Sequence, residues 1–452
     1  MEFIKTSKEV IGIIIPEGEC KKIVEVATGR VLWEKKLSPL TENSGHWAIV
    51  NFPTNKIRAI SFVDYDIPSK KIMFVTYGYN KIDTTTYRNH WSFFYDAQSN
   101  KFSDFYRYQC HITFTDADEE DDDEDISDED ISDDEDLLTT PYRTYMGYPI
   151  IDDSSVLGGN NVLPIDIDPV SKTIITRYDG KNYAAMFSND EHLKKYGDDM
   201  FRNGLRKVCW VPEKELFLLF WGYRSSSSSS GKITTALMDK EGNIINIVQD
   251  NQTLFTDTYS YNNLCWAGDK GIFLSSHSRG NSDTETNPGG IWLSSNGLNW
   301  ERVFTTPLGP SSRGYAYLYQ VIYCSGTGTF LALWNTSHAI TIYKSTDGRT
   351  WEETKSFEDV YGSIEFIGIA WSPKKKVACL VVRNYKPSTS RFYTSYITRD
   401  FENWVEIPIK PVVEISSSIG RSNGNLKWSD ALNAFVFCNY KEGYFLTLTI
   451  DN

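Results

Sequence analysis

Three short segments in the C-terminal half of the chain are near copies of one another: Ser294 to Trp300 (SSNGLNW), Ser345 to Trp351 (STDGRTW) and Thr398 to Trp404 (TRDFENW). Their tryptophans are 51 and 53 residues apart. Each copy starts with a hydroxyl side chain, follows with Asn296, Asp347 or Asp400, and ends on an indole. Short polar side chains of this kind bond their own backbone and tolerate positive φ, so each segment predicts a tight turn from which an aromatic re-enters a sheet. A period near fifty residues with a hairpin signal in each copy belongs to architectures that repeat one sheet around an axis.

A second element extends the count. Apolar runs beginning at Phe62, Ile165, Cys209, Cys265, Ile322, Ala370 and Lys427 are each followed by a turn rich in Gly, Pro, Ser, Asp or Lys and by another apolar run. Alternating strand and turn signals at this spacing predict an all-β, seven-bladed β-propeller, with six or eight blades as alternatives. From Trp210 to Trp266, Tyr323, Trp371 and Trp428 the steps are 56, 57, 48 and 57 residues, enough for four strands and their loops. The 103-residue step from Phe62 to Ile165 requires an insertion or an eighth blade. Near the start, His46 to Phe52 reads as a strand without a blade, whereas the last repeat has only three strands before residue 452. Pairing the two would close the ring and remove its open edges.

The three tryptophan turns resemble the Asp-box of sialidase-like propellers, Ser/Thr-x-Asp-x-Gly-x-x-Trp, with Asn296 in place of Asp in the first copy and Phe401 in place of Gly in the last. The resemblance implies that Ser294, Asn296, Trp300, Ser345, Asp347, Trp351, Thr398, Asp400 and Trp404 are structural. It places the turn between the third and fourth strands of a blade, away from the face that binds ligands. It also permits a test for hydrolase activity. Sialidases use three arginines, a tyrosine nucleophile with a glutamate, and an acid-base aspartate. The Arg-Ile-Pro element that carries the first arginine is missing here. Arg224, Arg279 and Arg383 fall in equivalent loops of three blades, so a divergent carbohydrate-active hydrolase is the enzymatic alternative. The primary expectation is no catalytic residue.

Charge locates the insertion. Sixteen of the 21 residues from Asp116 to Asp136 are acidic, and without them the formal charge of −14 would become about +2. Such a run repels itself and has little to bury, which predicts a solvated loop leaving the first blade. It has no glycine to turn a calcium-binding loop of the EF-hand kind. The seven cysteines, at 20, 110, 209, 265, 324, 379 and 438, form no C-x-x-C pair, and the six histidines show no paired metal spacing, so neither metal nor cofactor is expected. Five cysteines fall in blade segments where a thiol acts as a small hydrophobe, predicting synthesis in a reducing cytoplasm. No apolar stretch is long enough for a membrane helix, and no basic stripe suits nucleic acid.

Residues 1–36 stand outside the repeat and read as a small β module, a strand over Val10 to Ile15 followed by a hairpin; residues 37–452 form the propeller. The segment Ile15 to Lys36, IPEGECKKIVEVATGRVLWEKK, resembles N-terminal segments of structural proteins from gut tailed bacteriophages. That resemblance implies an anchor to other virion proteins, several copies per assembly, and a virion location after synthesis in the host cytoplasm. Loops between second and third strands project from one face and supply Tyr223, Arg224, Arg279, Trp334, His338, Arg383 and Tyr385 as candidate contacts to a glycan, host surface receptor or protein. The expected function is a non-enzymatic structural and recognition module; a cellular protein-interaction scaffold is the third alternative. Deleting residues 116–136 should shift the melting temperature by no more than about 2 °C, because a long surface loop adds little closure cost. Differential scanning calorimetry of the deletion variant checks this, and a large fall would make the acidic run part of the fold.

Overall fold

The computed structural model describes residues 2–6, 9–14, 22–24, 31–34, 39–52, 61–82, 85–114, 144–145, 148–149, 165–170, 174–176, 205–223, 232–240, 244–248, 251, 263–277, 290–305, 317–335, 339–358, 363–385, 391–409, 425–438 and 444–451. The acidic run lies outside them.

At the N-terminus β1 (Glu2–Thr6) pairs antiparallel with β2 (Glu9–Ile14), and β3 (Lys22–Val24) with β4 (Val31–Glu34). The expected lone strand is therefore one arm of a second hairpin. Glu2 to Thr6 alternates only weakly in polarity, so its sequence carries little strand signal.

After β5 (Gly45–Asn51) the chain builds four-stranded antiparallel blades. The first holds β6 (Ser61–Asp66), β7 (Lys71–Ile82), β8 (Thr85–Asp96) and β9 (Lys101–Phe114). Two short pairs follow, β10 (Thr144–Tyr145) with β11 (Tyr148–Pro149), and β12 (Ile165–Ile167) with β13 (Ile174–Thr176). The second blade is β14 (Leu205–Val211), β15 (Leu216–Tyr223), β16 (Lys232–Asp239) and β17 (Ile244–Val248). The third is β18 (Asn263–Ala267), β19 (Ile272–His277), β20 (Gly290–Ser294) and β21 (Glu301–Thr305). The fourth is β22 (Tyr317–Cys324), β23 (Thr329–Asn335), β24 (Ala339–Ser345) and β25 (Glu352–Glu358). The fifth is β26 (Ser363–Ser372), β27 (Val377–Tyr385), β28 (Arg391–Thr398) and β29 (Val405–Ile407). The sixth takes β30 (Asn425–Ser429), β31 (Ala434–Cys438) and β32 (Tyr444–Ile450) from the C-terminus and β5 as its outer strand.

The first strands form a closed circuit, in which β6 touches β12, β12 touches β14, and contact continues through β18, β22, β26 and β30 back to β6. The fold is thus an all-β propeller. Six four-stranded blades are present among the described residues, one fewer than the seven expected from the repeats. The Ile165 repeat is a two-stranded hairpin there, because its described sequence ends at Thr176 and the next described strand already belongs to the second blade.

Each blade buries its two faces against its neighbours, which is why the second strands read as unbroken apolar runs rather than alternating ones. Leu331 and Leu333 pack toward the fifth blade while Phe330 and Ala332 pack toward the third, and all four are fully buried. Phe52, immediately after β5, joins Phe74, Phe93, Phe102 and Phe445 in an aromatic cluster between the sixth and first blades.

Closure across the termini occurs as the strand inventory implied: all seven residues of β5 pair with β32, from Gly45 opposite Ile450 to Asn51 opposite Tyr444. Trp47 also leaves its own blade, since its Nε1 donates to Ser395 Oγ of the fifth blade at 2.8 Å. Trp47→Ala should lower stability by about 3–5 kcal/mol in urea denaturation, the cost of removing a buried large aromatic. A loss under about 1 kcal/mol would mean that the clasp contributes little to closure.

Candidate functional site

Tight turns and polar bridges occupy one face of the ring. The three tryptophan turns all join third to fourth strands, linking β20 to β21, β24 to β25 and β28 to β29. They share one hydrogen-bond pattern. The leading hydroxyl accepts from the backbone three residues on, with Gly297, Gly348 and Phe401 N–H each 2.9 Å from Ser294, Ser345 and Thr398. The following Asn296, Asp347 or Asp400 accepts from Asn299, Thr350 or Asn403 N–H at 2.8 Å. Each indole N–H then closes the turn on the carbonyl of residue 297, 348 or 401, at 3.0, 3.1 and 3.2 Å.

The departures from the repeat pattern keep this geometry. Asn296 replaces a carboxylate without loss because its Oδ1 performs the same accepting role. Phe401 adopts φ +67° where Gly297 and Gly348 have +78° and +74°. A side chain in this region costs about 1–2 kcal/mol. Phe401 is nevertheless buried in the seam between fourth and fifth blades, with its ring 5.7 Å from that of Trp371. Burial of a phenylalanine is worth more than the backbone strain.

The backbone N–H groups of Thr350 and Arg349 hold the Asp347 carboxyl down to about 2. For Asp400, burial raises the pKa, but the Asn403 side chain and the backbone of Asn403 and Glu402 outweigh it and bring it to about 2. Both carboxylates are therefore ionised acceptors in the turns.

First-strand aromatics pack within their own blades, and Trp266, Tyr323 and Trp371 also clasp the neighbouring blade. Trp210, Trp266, Tyr323 and Trp428 lie against Phe217, Phe273, Phe330 and Phe435 of their own second strands, with ring centroids 4.3–5.0 Å apart. Their polar ends reach the turns between first and second strands: Trp266 Nε1 donates to Glu213 at 2.7 Å, Tyr323 OH to Asp269 at 2.5 Å, and Trp371 Nε1 to the Ser325 carbonyl at 3.0 Å. Trp428 Nε1 instead donates to Asp430 in its own turn. Lys344 to Glu402 and Arg349 to Glu301 add charge pairs between neighbouring blades on this face.

Along the axis, first-strand side chains bond the backbone of the next first strand. Asp166 accepts from Trp210 N–H at 2.7 Å, and Gln320 both donates to the Ile369 carbonyl and accepts from its N–H at 3.1 Å. Lys427 Nζ donates to the Phe62 carbonyl at 3.3 Å, while Asp64 accepts from Ser429 Oγ and from Asp430 N–H. Burial pushes the Asp166 carboxyl up, opposed by the Trp210 bond and the Lys427 charge. Burial pushes the Lys427 ammonium down, opposed by Asp166 and Asp64. Cys324, Cys379 and Cys438 are buried and Cys209 and Cys265 half-buried; burial raises the Cys265 thiol to about 12, leaving it protonated. Among the described residues no group of three or more His, Cys, Asp or Glu is arranged to hold a metal ion, and no helix is long and apolar enough to cross a membrane.

The opposite face carries the candidate contacts. Tyr223, Trp334, Arg383 and Tyr385 all lie at the C-terminal ends of second strands, in the second, fourth and fifth blades, so the ring brings them to the same end. Arg383 is only 1% exposed. Its strand neighbours Cys379 and Val381 and its ladder partner Tyr393 pack in the seam between fifth and sixth blades, which places the guanidinium within that seam. Trp334 packs in the seam between third and fourth blades, and its Nε1 is buried with no hydrogen-bond partner. Ser276 Oγ, also unpartnered, was not anticipated from sequence, since a serine near a strand end carries no distinguishing signal. Each such atom costs about 1–3 kcal/mol. Arg224, Arg279 and His338 lie outside the described residues.

Fold and face together define a β-propeller with tightly bonded turns at one end and strand ends bearing aromatic and basic residues at the other. No protein-family model matches the chain, and no curated protein matches it. Among solved structures it is similar to the β-propeller domain of Swd1 from Myceliophteria thermophila, at 9% identity over 89% of this chain and 98% of that one, TM-score 0.43. A member of the DUF4221 family from Bacteroides vulgatus is similar at 7% identity over 91% of this chain and 100% of that one, TM-score 0.40. Prolyl oligopeptidase B from Galerina marginata is similar at 10% identity over 79% of this chain and 43% of that one, TM-score 0.40. None of these likenesses bears on function.

Phe401→Gly should destabilise by about 2–3 kcal/mol, because the ring lost from the seam outweighs the relief of positive φ. Asp347→Asn should change stability by less than about 0.5 kcal/mol, following Asn296, while Asp347→Ala should cost about 1 kcal/mol. Urea denaturation at neutral pH measures all three. Since the folded pKa is depressed, the Asp347 contribution is present above about pH 4 and is lost as pH falls toward about 2.

Proposed function

We propose that the chain is a non-enzymatic structural and recognition propeller of a bacteriophage particle, mounted through residues 1–36 and binding a glycan or protein partner through its loop face. The observation that carries this reading is the division of polar chemistry between the two ends of the ring. On the turn face and along the axis, Asp64, Asp166, Asp347 and Asp400 are bonded to backbone and serve the scaffold. The other end carries Tyr223, Trp334 and Tyr385 at loop-bearing strand ends, and aromatic residues of this kind suit a recognition surface.

Two structural readings accompany the proposal. The hairpin β12 and β13 is the inner pair of a seventh blade, supported by the contacts of β12 with β6 and β14 and by the 103-residue step between the inner strands at Phe62 and Ile165. The three tryptophan turns are Asp-boxes of the sialidase-like kind, supported by their common position and bonding.

Loop-face contacts are individually weak, so copies arrayed on one particle supply avidity, and the host surface or a virion protein is the partner. Removing residues 1–36 should abolish incorporation into the parent particle while leaving the propeller folded, because β5 begins only at Gly45. Substituting Tyr223, Arg224, Arg279, Trp334 and His338 together should preserve incorporation and weaken attachment. Mass spectrometry of purified particles and a host-attachment assay read the two outcomes. Normal incorporation of the truncated chain refutes the anchor, and unchanged attachment by the loop variant refutes the recognition role.

A further inference from the structure

The outer strand of each described blade pairs on one side only, so its other edge presents a row of backbone groups to whatever lies beside it. Natural sheets guard such edges with charge. Here Lys101 of β9, Glu301 and Arg302 of β21, Lys355 of β25, Glu406 of β29 and the ionisable His46 of β5 fill that role. The outer strand of the second blade, β17, reads Ile-Ile-Asn-Ile-Val and holds no ionisable side chain. Its ladder with β16 is bulged, but so are those of the outer strands in the third and fourth blades, so the missing charge is what sets it apart.

Two further features say what this edge takes. Ile245 is 59% exposed, and of the three large hydrophobics exposed among the described residues it alone lies in a strand, Ile67 and Val170 being in turns. The strand also reads nearly the same in both directions about Asn246. Laid antiparallel against a second copy across a twofold axis at that residue, it sets Ile245 against Ile247, Ile244 against Val248 and Asn246 against itself, and no charge meets its like. Strand addition is already how the chain finishes its sixth blade, where β5 joins β32.

We propose that β17 is a self-association edge, through which two copies of the chain pair their second blades antiparallel and join them into one continuous sheet. A twofold contact uses the same patch on both partners, and a near-palindromic strand meets that condition with every residue. Backbone hydrogen bonds supply the attraction, and the branched side chains supply the fit. An edge of five residues buries far less than the about 1,200 Å² of a stable complex, so the dimer is weak and depends on concentration. Outer strands lie on the rim of a propeller, which leaves both faces of each ring open, so the inference does not depend on what the loop face binds.

Sedimentation velocity of the full chain tests this over a concentration series up to about 500 μM, the range in which so small an interface associates. The wild type should shift from monomer toward dimer. Asn246→Asp keeps the side-chain oxygen that accepts from Ile247 N–H at 2.8 Å, yet it and Asn246→Lys should each weaken dimerisation by about fivefold or more, because like charges then face one another on the axis. Mixed in equal amounts, the two variants should pair with each other at wild-type affinity or better, since opposite charges now meet. Ile245→Lys should weaken dimerisation about fivefold without lowering the melting temperature, because the side chain is exposed. Should Asn246→Lys melt below the wild type, Asn246→Asp and Ile245→Lys decide the matter by weakening or sparing the dimer. A wild type that stays monomeric throughout overturns the proposal, and so does a dimer that the variants leave unchanged, whose contact lies elsewhere. Two well-folded charge variants that fail to pair with each other overturn the antiparallel contact at Asn246.

Discussion

Among the described residues, the first strand of each blade has an inner edge with no strand paired beside it, and the backbone groups on that edge must find partners for the disc to be stable. An unpaired sheet edge is both a desolvation cost and a template for aggregation. This chain meets the problem with side chains borrowed from the neighbouring first strand. Asp166 serves the Trp210 amide, Gln320 serves both backbone groups of Ile369, Lys427 serves the Phe62 carbonyl, and Asp64 serves the Asp430 amide. Each bridge ties one blade to the next, so satisfying the edge and closing the circuit are one act.

The outer edge of the sixth blade is handled differently. By lending β5 to the C-terminal sheet, the fold converts two open edges into one ladder, and Trp47 extends that ladder into the fifth blade. Mechanical continuity of the disc thus depends on residues separated by almost the whole length of the chain. Local contacts within blades form without that closure, but the seams on either side of the sixth blade do not.

With the scaffold's polar groups committed to turns, seams and the axis, the loop end is left to vary. Phe401 shows how tolerant the scaffold end is. A bulky residue occupies a left-handed turn position because the seam beneath it has room for the ring. Buried side-chain atoms without a hydrogen-bond partner lie at both ends, Ser276 Oγ and Trp334 Nε1 at the loop end and Asn433 Oδ1 in a turn.

Much of this was legible in the residues themselves. Turn chemistry is local, so Ser294, Ser345 and Thr398 announced their turns, while their place between third and fourth strands came from the Asp-box resemblance, and strand pairs were visible because buried strands are apolar throughout. Closure by the strand at His46 followed from counting strands against edges. The sequence could not show that Trp266, Tyr323 and Trp371 are clasps rather than simple core, because a partner such as Glu213 or Asp269 lies more than fifty residues away with no spacing rule to connect them. Nor could it place Arg383 inside a seam, since which face a strand residue takes depends on ladder register and on which blade lies next to it. The sequence by itself determined the repeats, the turns and the need to close a ring. Tertiary structure alone decided which polar groups that closure satisfies and which it leaves open, because hydrogen bonds across a seam exist only once neighbouring blades are stacked.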